Sequence, residues 1–255
     1  MTEVQSAGCR VQCARRFSLH SALCTLHFTS GLWFSTAFGQ VGHDPARSPY
    51  RDLRYSQFLS ITTSYFHGDG GQLGVGPHSG MVYGLRHDFL ANGTVTIGIA
   101  GAWGRLERKV AFPLVTTAPR LRGPLNQDVV FGEGTVQFNL AGGKTWHHLA
   151  PYIGSGVGFA FGSSTPEDTS KYKFRWKFYV APNVGLRVFL SRRLFLRLEA
   201  RSVFWNLSYP TTYAQDPDLP GGGLPPLLQA GQLKEWVPSG WYSIGLGYAF
   251  HRPFF

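Results

Sequence analysis

In the stretch Ser239-Gly-Trp-Tyr-Ser-Ile-Gly-Leu-Gly-Tyr-Ala-Phe250, every second residue from Tyr242 onward is apolar or aromatic. Ile244, Leu246, Tyr248 and Phe250 share one face, while Ser243, Gly245, Gly247 and Ala249 share the other. A period of two in a glycine-rich run makes a β-strand that is greasy on one side and small or polar on the other. Strands of soluble sandwiches alternate too, so the rest of the chain must decide which solvent the greasy face meets.

Working back from that strand, the same alternation recurs seven times. The first strand begins at Tyr55, with Leu59, Ile61, Thr63 and Tyr65 opposite Phe58, Ser60, Thr62 and Ser64. The second, Ser79 to Leu90, sets Met81, Tyr83, Leu85 and Phe89 against Gly84, Arg86 and Asp88. Asn92-Gly93 then predicts a tight hairpin, because both residues tolerate positive φ. The third strand runs from Thr94 to Arg105, and residues 107–128, with three prolines, read as a long connection. The fourth, from Val130 to about Ala141, puts Glu133 opposite Val136, and the fifth covers Pro151 to Phe161. The sixth carries Phe174, Trp176, Phe178 and Val180 on one face and Arg175, Lys177, Asn183 and Arg187 on the other; Pro182 inside it calls for a bulge. The seventh begins at Leu194, with Arg197, Glu199 and Arg201 on its polar face.

Eight strands joined by alternating long and short connections, with no helix-period segment between them, give an all-β fold class: an eight-stranded antiparallel up-and-down transmembrane β-barrel over residues 55–250. The charged face then points into the lumen and the greasy face into lipid. A lipocalin-like soluble barrel would instead leave Trp176, Phe178, Leu196, Leu198 and Ile244 on a wet surface, more apolar area than monomers expose.

Composition agrees. The 32 glycines and a 15% aromatic content favour strands and turns over helices, and only 15% of residues are charged. After the N-terminal segment no run of ~18 apolar residues appears, so no helix spans a bilayer. Residues 1–39 read as a cleaved signal peptide: Arg15-Arg16, an apolar stretch to Phe34, then Ala37-Phe38-Gly39 ahead of a cut before Gln40. A lipoprotein signal is the rival reading, but Leu23 before Cys24 is too large for that cleavage. Cys9, Cys13 and Cys24 all precede the cut, so the mature chain has neither a disulfide framework nor a thiolate metal site. Residues 40–54, polar and holding Pro45 and Pro49, form a periplasmic lead-in. Net charge is +10; removing residues 1–39 takes away Arg10, Arg15, Arg16 and Glu3 and leaves +8. Export separates that charge from nucleic acid, and phosphate-rich outer-leaflet lipid is the better partner.

Ser243, Gly245, Tyr248 and Phe250 are spaced like the C-terminal assembly signal of bacterial outer-membrane proteins, a polar residue, a glycine and two aromatics flanking one residue; the tail 251–255 departs from it but ends on Phe255. Residues 55–250 as a whole resemble the OmpA-like eight-stranded transmembrane domain. That resemblance implies a bacterial outer-membrane location, a monomer, and handling by periplasmic chaperones and barrel-assembly machinery. It implies a non-catalytic protein without cofactors, working through loop-mediated surface interaction or membrane integrity. Lipid A modification on the same scaffold and a narrow conduit for small apolar solutes are the alternatives.

Two groups of residues bear on the choice. Arg86, Asp88, Glu133, Arg175, Lys177, Arg187, Arg197, Glu199 and Arg201 form a lumen charge cluster, either a permeation path or a packed ionic plug. Basic residues outnumber acidic ones in it, so water, anions or loop carboxylates are expected to complete the pairing. Arg105, Arg108, Lys109, Arg120 and Arg122 crowd the connection 107–128 and its approach, either as solvated loop or as a grip on lipopolysaccharide phosphates. His67, His78 and His87 have no evident serine nucleophile among them, and His147-His148 sits in a turn without a third metal ligand. Gly154-Ser-Gly-Val-Gly158 lies inside a strand with no helix after it, so it is no phosphate loop; its glycines relieve crowding in a curved wall.

Overall fold

The computed structural model describes residues 48–116, 119–165, 168, 170–217 and 224–250. The expected signal at 1–39, with its three cysteines, and the tail 251–255 lie outside them. Ten strands follow one another: β1 (Tyr50–Asp52), β2 (Gln57–Gly68), β3 (Ser79–Leu90), β4 (Val95–Ala111), β5 (Leu121–Asn139), β6 (Lys144–Trp146), β7 (Leu149–Gly162), β8 (Trp176–Phe189), β9 (Leu194–Ser208) and β10 (Lys234–Phe250). All but β1 and β6 form one antiparallel wall, which closes where β10 meets β2 in register from Ser239↔Gly68 to Phe250↔Gln57. Closure leaves the wall no unpaired edge. β1 and β6 make a small ribbon at the short-turn end, so part of the lead-in is paired with the turn between β5 and β7.

The strands form as their alternation requires. Ile61, Leu85, Ile99 and Leu246 face outward and are each more than half exposed, while Ser60, Arg86, Thr135 and Arg187 face inward and are buried. This is a barrel turned inside out relative to a soluble one, and its outer face needs lipid. The outward apolar run from Tyr242 to Phe250 extends ~27 Å along the strand at ~3.4 Å per residue. Tilted by ~40° as barrel strands are, that run rises ~21 Å, most of the height of an apolar band ~25 Å tall. Its upper border is sharp: Trp103, Val130, Phe161 and Trp176 are cross-strand neighbours in one row, and two residues above Trp103 stands the exposed pair Arg105–Asp128.

The structure departs from the sequence reading in four places. Residues 107–128 are mostly strand: β4 and β5 continue past the aromatic row as a protruding hairpin whose loop is only 112–120. Gly123-Pro124 misleads because it occupies a bulge, where the register shifts between Arg108↔Leu125 and Val110↔Arg122 and a missing N–H breaks no ladder bond. Pro182, by contrast, needs no bulge. The β8–β9 ladder skips from Val180↔Phe204 to Asn183↔Arg201 without a shift, and Pro182 points outward. The Asn92-Gly93 hairpin forms without positive φ at either residue; the Asn92 side chain accepts from the N–H groups of Thr94 and Val95 at 2.9 and 2.7 Å and so ties the turn. Finally, Phe174 is buried and Arg175 exposed, the reverse of the expected facing, because Arg175 takes φ +50° and turns the backbone just before β8.

Candidate functional site

The inward residues stack in storeys. At the short-turn end Phe58, Phe195 and Ala249 form a small plug with Tyr55, Leu90 and Phe189 packed against it; Phe58 and Phe195 meet edge to face at 5.7 Å.

Above it lies the ionic storey. Asp88 accepts from Arg86 Nε at 2.8 Å and from Arg197 Nη1 at 2.5 Å, with Arg187 Nη2 3.6 Å away. Glu199 accepts from Arg197 Nη2 at 2.6 Å, from the Tyr152 hydroxyl at 2.7 Å and from Arg201. Arg201 Nη1 also reaches both oxygens of Glu133 at 2.9 Å, and Arg86 donates to Thr135. Four guanidinium groups thus face three carboxylates. The fourth, Arg187, donates to Gln137 Oε1 at 2.8 Å and Asn139 Oδ1 at 3.0 Å, and lies against the rings of Tyr152 and Phe58 at 4.7 and 5.1 Å. Amide oxygens and ring faces therefore serve where water, anions or loop carboxylates were expected. The void left among Arg86, Glu133, Tyr179, Glu199, Arg201 and Trp241 is about 20 Å³, room for a single water.

Glycines of β7 make this packing possible. A Cβ on Gly156 would sit 2.7 Å from the Glu133 carboxyl carbon, and one on Gly158 would sit 2.7 Å from the Tyr179 ring. The crowding expected in the wall is therefore crowding with lumen side chains.

The next storey is aromatic. Phe66, Phe131, Phe174, Tyr179, Trp205 and Trp241 are buried together, with ring centroids 4.8 Å apart for Phe131–Trp241 and 5.3 Å for Phe66–Trp205 and Phe174–Trp205. Arg201, 4.8 Å from the centre of the Trp241 ring, joins the two storeys.

Above the border row the core continues into a canopy made by the long connections. Val75, Leu106, Val110, Leu207, Tyr209, Tyr213 and Leu228 are buried there. Arg108 ion-pairs with Asp168, donates to Val75 O at 3.3 Å and lies 5.4 Å from the centre of the Tyr172 ring. Tyr209 donates its hydroxyl to Glu235. Burial pushes the phenols of Tyr172 and Tyr209 well above the ordinary tyrosine range.

Against these positions the expected clusters divide. Of the lumen charges, Arg86, Asp88, Glu133, Arg187, Arg197, Glu199 and Arg201 come together; Lys177 is half-buried and Arg175 is exposed outside β8. The expected phosphate grip does not form one patch. Arg108 is buried, Arg105 is held by Asp128, and Arg122 lies over the Phe112 ring at 5.2 Å. Arg120 donates to Pro113 O and Pro225 O, clamping two loops, while Lys109 is exposed. In the last strand Ser243 accepts from Ser64 Oγ at 3.0 Å, Gly245 lies beside Thr62, Tyr248 accepts from Arg193 Nη1 at 2.8 Å, and Phe250 stacks on His87. Sequence reasoning missed Asp168, Tyr172 and Tyr209. Nothing in a polar loop marks a partner for an arginine 60 residues earlier.

The closed wall, greasy outside and filled ionic inside have the architecture of a bacterial outer-membrane β-barrel. No family model matches the chain, and no curated protein matches it. Among solved structures it is similar to Neisserial surface protein A (11% identity, TM-score 0.48), covering 76% of this chain and 97% of that one. It is also similar to the outer-membrane protein OprG from Pseudomonas aeruginosa (14%, TM-score 0.44), covering 80% and 100%. A third is Ail, the attachment invasion locus protein of Yersinia pestis (17%, TM-score 0.34), covering 76% and 97%.

Proposed function

We propose that this protein is a monomeric, non-catalytic resident of the outer membrane whose lumen is sealed and whose working surface is the canopy. The observation that carries the reading is the continuous filling of the lumen, from the Phe58–Phe195 plug through the ionic and aromatic storeys to the buried Arg108–Asp168 pair. A conduit needs a continuous path, and the room left in the ionic storey is one water wide. The canopy suits surface interaction or a membrane-integrity role because its described part is strand and packed core where connections are usually irregular loop: β4, β5 and β10 extend into it and its inner face is buried.

Lipid A mass spectrometry with and without overexpression tests the reading against lipid modification. An unchanged acyl pattern is expected. A new or missing acyl chain that depends on this protein would make it an enzyme.

A further inference from the structure

Just above the border row, the chain entering β8 reads Lys171-Tyr-Lys-Phe-Arg-Trp176. Exposure alternates along it. Lys171, Lys173 and Arg175 are exposed, whereas Tyr172 and Phe174 are 4% and 1% exposed and belong to the canopy core. Trp176, 67% exposed, is the member of the aromatic row that β8 contributes. Two anchored rings therefore hold three cations on the outside, directly above a tryptophan of the kind that marks a membrane interface.

The backbone favours this arrangement at a cost. Lys171 and Arg175 take φ +62° and +50°, conformations that L-residues rarely adopt. Continued alternation from β8 would have turned Arg175 into the aromatic storey; the left-handed turn puts it outside, while its carbonyl still accepts from the Gly162 N–H at 3.3 Å. No described carboxylate answers these charges. Asp128, on the neighbouring wall, is taken by Arg105, and Asp168, earlier in the same connection, is taken by Arg108. None of the three cations has an ion pair among the described residues.

Three exposed cations stepping up from the border tryptophan, with no ion pair among the described residues, fit the anionic phosphates of the headgroup layer. Phe174 packs on Trp205 and Tyr172 on Tyr209, four residues further along the chain, so the row climbs away from the border and does not converge on one small ion. We propose that Lys171, Lys173 and Arg175 form a binding row for the phosphates of anionic lipid headgroups in the leaflet below the canopy. This rests on the membrane reading above and supplies the lipid contact that the Arg105 to Arg122 set does not make as a patch. Guanidinium and ammonium donors give phosphate charge-assisted hydrogen bonds, and salt screens exposed contacts of this kind.

The test uses the full mature protein in phosphatidylcholine vesicles with and without phosphatidylglycerol, reading the temperature at which the folded gel band is lost. Anionic lipid should raise the midpoint of the wild type. The combined variant Lys171→Gln, Lys173→Gln, Arg175→Asn, in which Asn keeps the left-handed backbone accessible, should lose more than half of that rise. The control Arg105→Gln, Lys109→Gln, Arg122→Gln should keep it. Full retention in the first variant, or equal loss in the control, would overturn the row. So would an equal rise from inorganic phosphate in phosphatidylcholine, which would assign the site to free anion. A wild type with no heat-sensitive folded band in phosphatidylcholine would sink the barrel reading, and the row with it; a folded band without the lipid response sinks the row alone.

Discussion

The ionic and aromatic storeys are filled by adjacent stretches of the same strands, yet they solve the packing problem in opposite ways. Arg201 on β9 donates to Glu133 and Glu199, and four residues on, Trp205 is wholly buried among rings. In the ionic storey every group depends on named partners, because removing one leaves another charged and buried. In the aromatic storey the rings depend on volume and contact, and loss of one leaves a cavity whose cost is softened by relaxation. The first is brittle and specific, the second tolerant and general.

Breaking the comparison starts in the ionic storey. Asp88→Ala removes the carboxylate shared by Arg86 and Arg197 and should cost the upper part of the ~3–5 kcal/mol range for uncompensated buried charge. Trp205→Ala should cost ~3 kcal/mol, at the lower end of the range for large aromatic truncations, since five other rings can close in. Urea unfolding of the refolded protein measures both, and an Asp88→Ala effect below that of Trp205→Ala would reverse the contrast.

A smaller effect sharpens the facing. Leu198 is exposed on the outer wall, and Leu198→Lys should cost ~2–4 kcal/mol if it stands near the middle of the bilayer. Its neighbour Arg197 is not the tolerant site that a charged inward position implies by itself. It binds Asp88 and Glu199 together, so Arg197→Lys should lose the two-sided fork and destabilise measurably. Smallest of all, Arg105→Gln should change stability by less than ~1 kcal/mol, because its pair with Asp128 is exposed.

The canopy adds a pH dependence of its own. The folded state holds Tyr172 and Tyr209 neutral, with their phenol pKa values raised above the unfolded value of ~10. Their contribution is fully present below pH ~10 and declines as the unfolded phenols ionise above it, until the folded ones ionise as well. Phenolate absorbance from these two residues, read as the difference between the wild type and a Tyr172→Phe, Tyr209→Phe variant, should therefore appear late, together with loss of canopy structure, and a difference signal that titrates at the ordinary tyrosine value would contradict the burial.

Period-two alternation carried most of this in the sequence. The eight wall strands, their facing and seven of the nine lumen charges were legible because inward and outward residues differ in kind over eight or more positions. What stayed hidden was whatever breaks the period. Gly123-Pro124 looks like a loop and sits in a bulge; Arg175 looks inward and is turned out by its own φ. The long connections were legible as long, but their shared core was not, because Val75, Tyr172 and Leu228 come from three separate connections that only the closed barrel brings together.

Planar-bilayer recording of the purified, refolded protein tests the central claim most directly. A lumen filled at every storey should give no conductance above that of bare lipid at neutral pH, while gel mobility confirms that the barrel is folded. Stable unitary current steps from the wild type would contradict it, for they would require a continuous water path through the Arg86–Glu199 network and the rings above it.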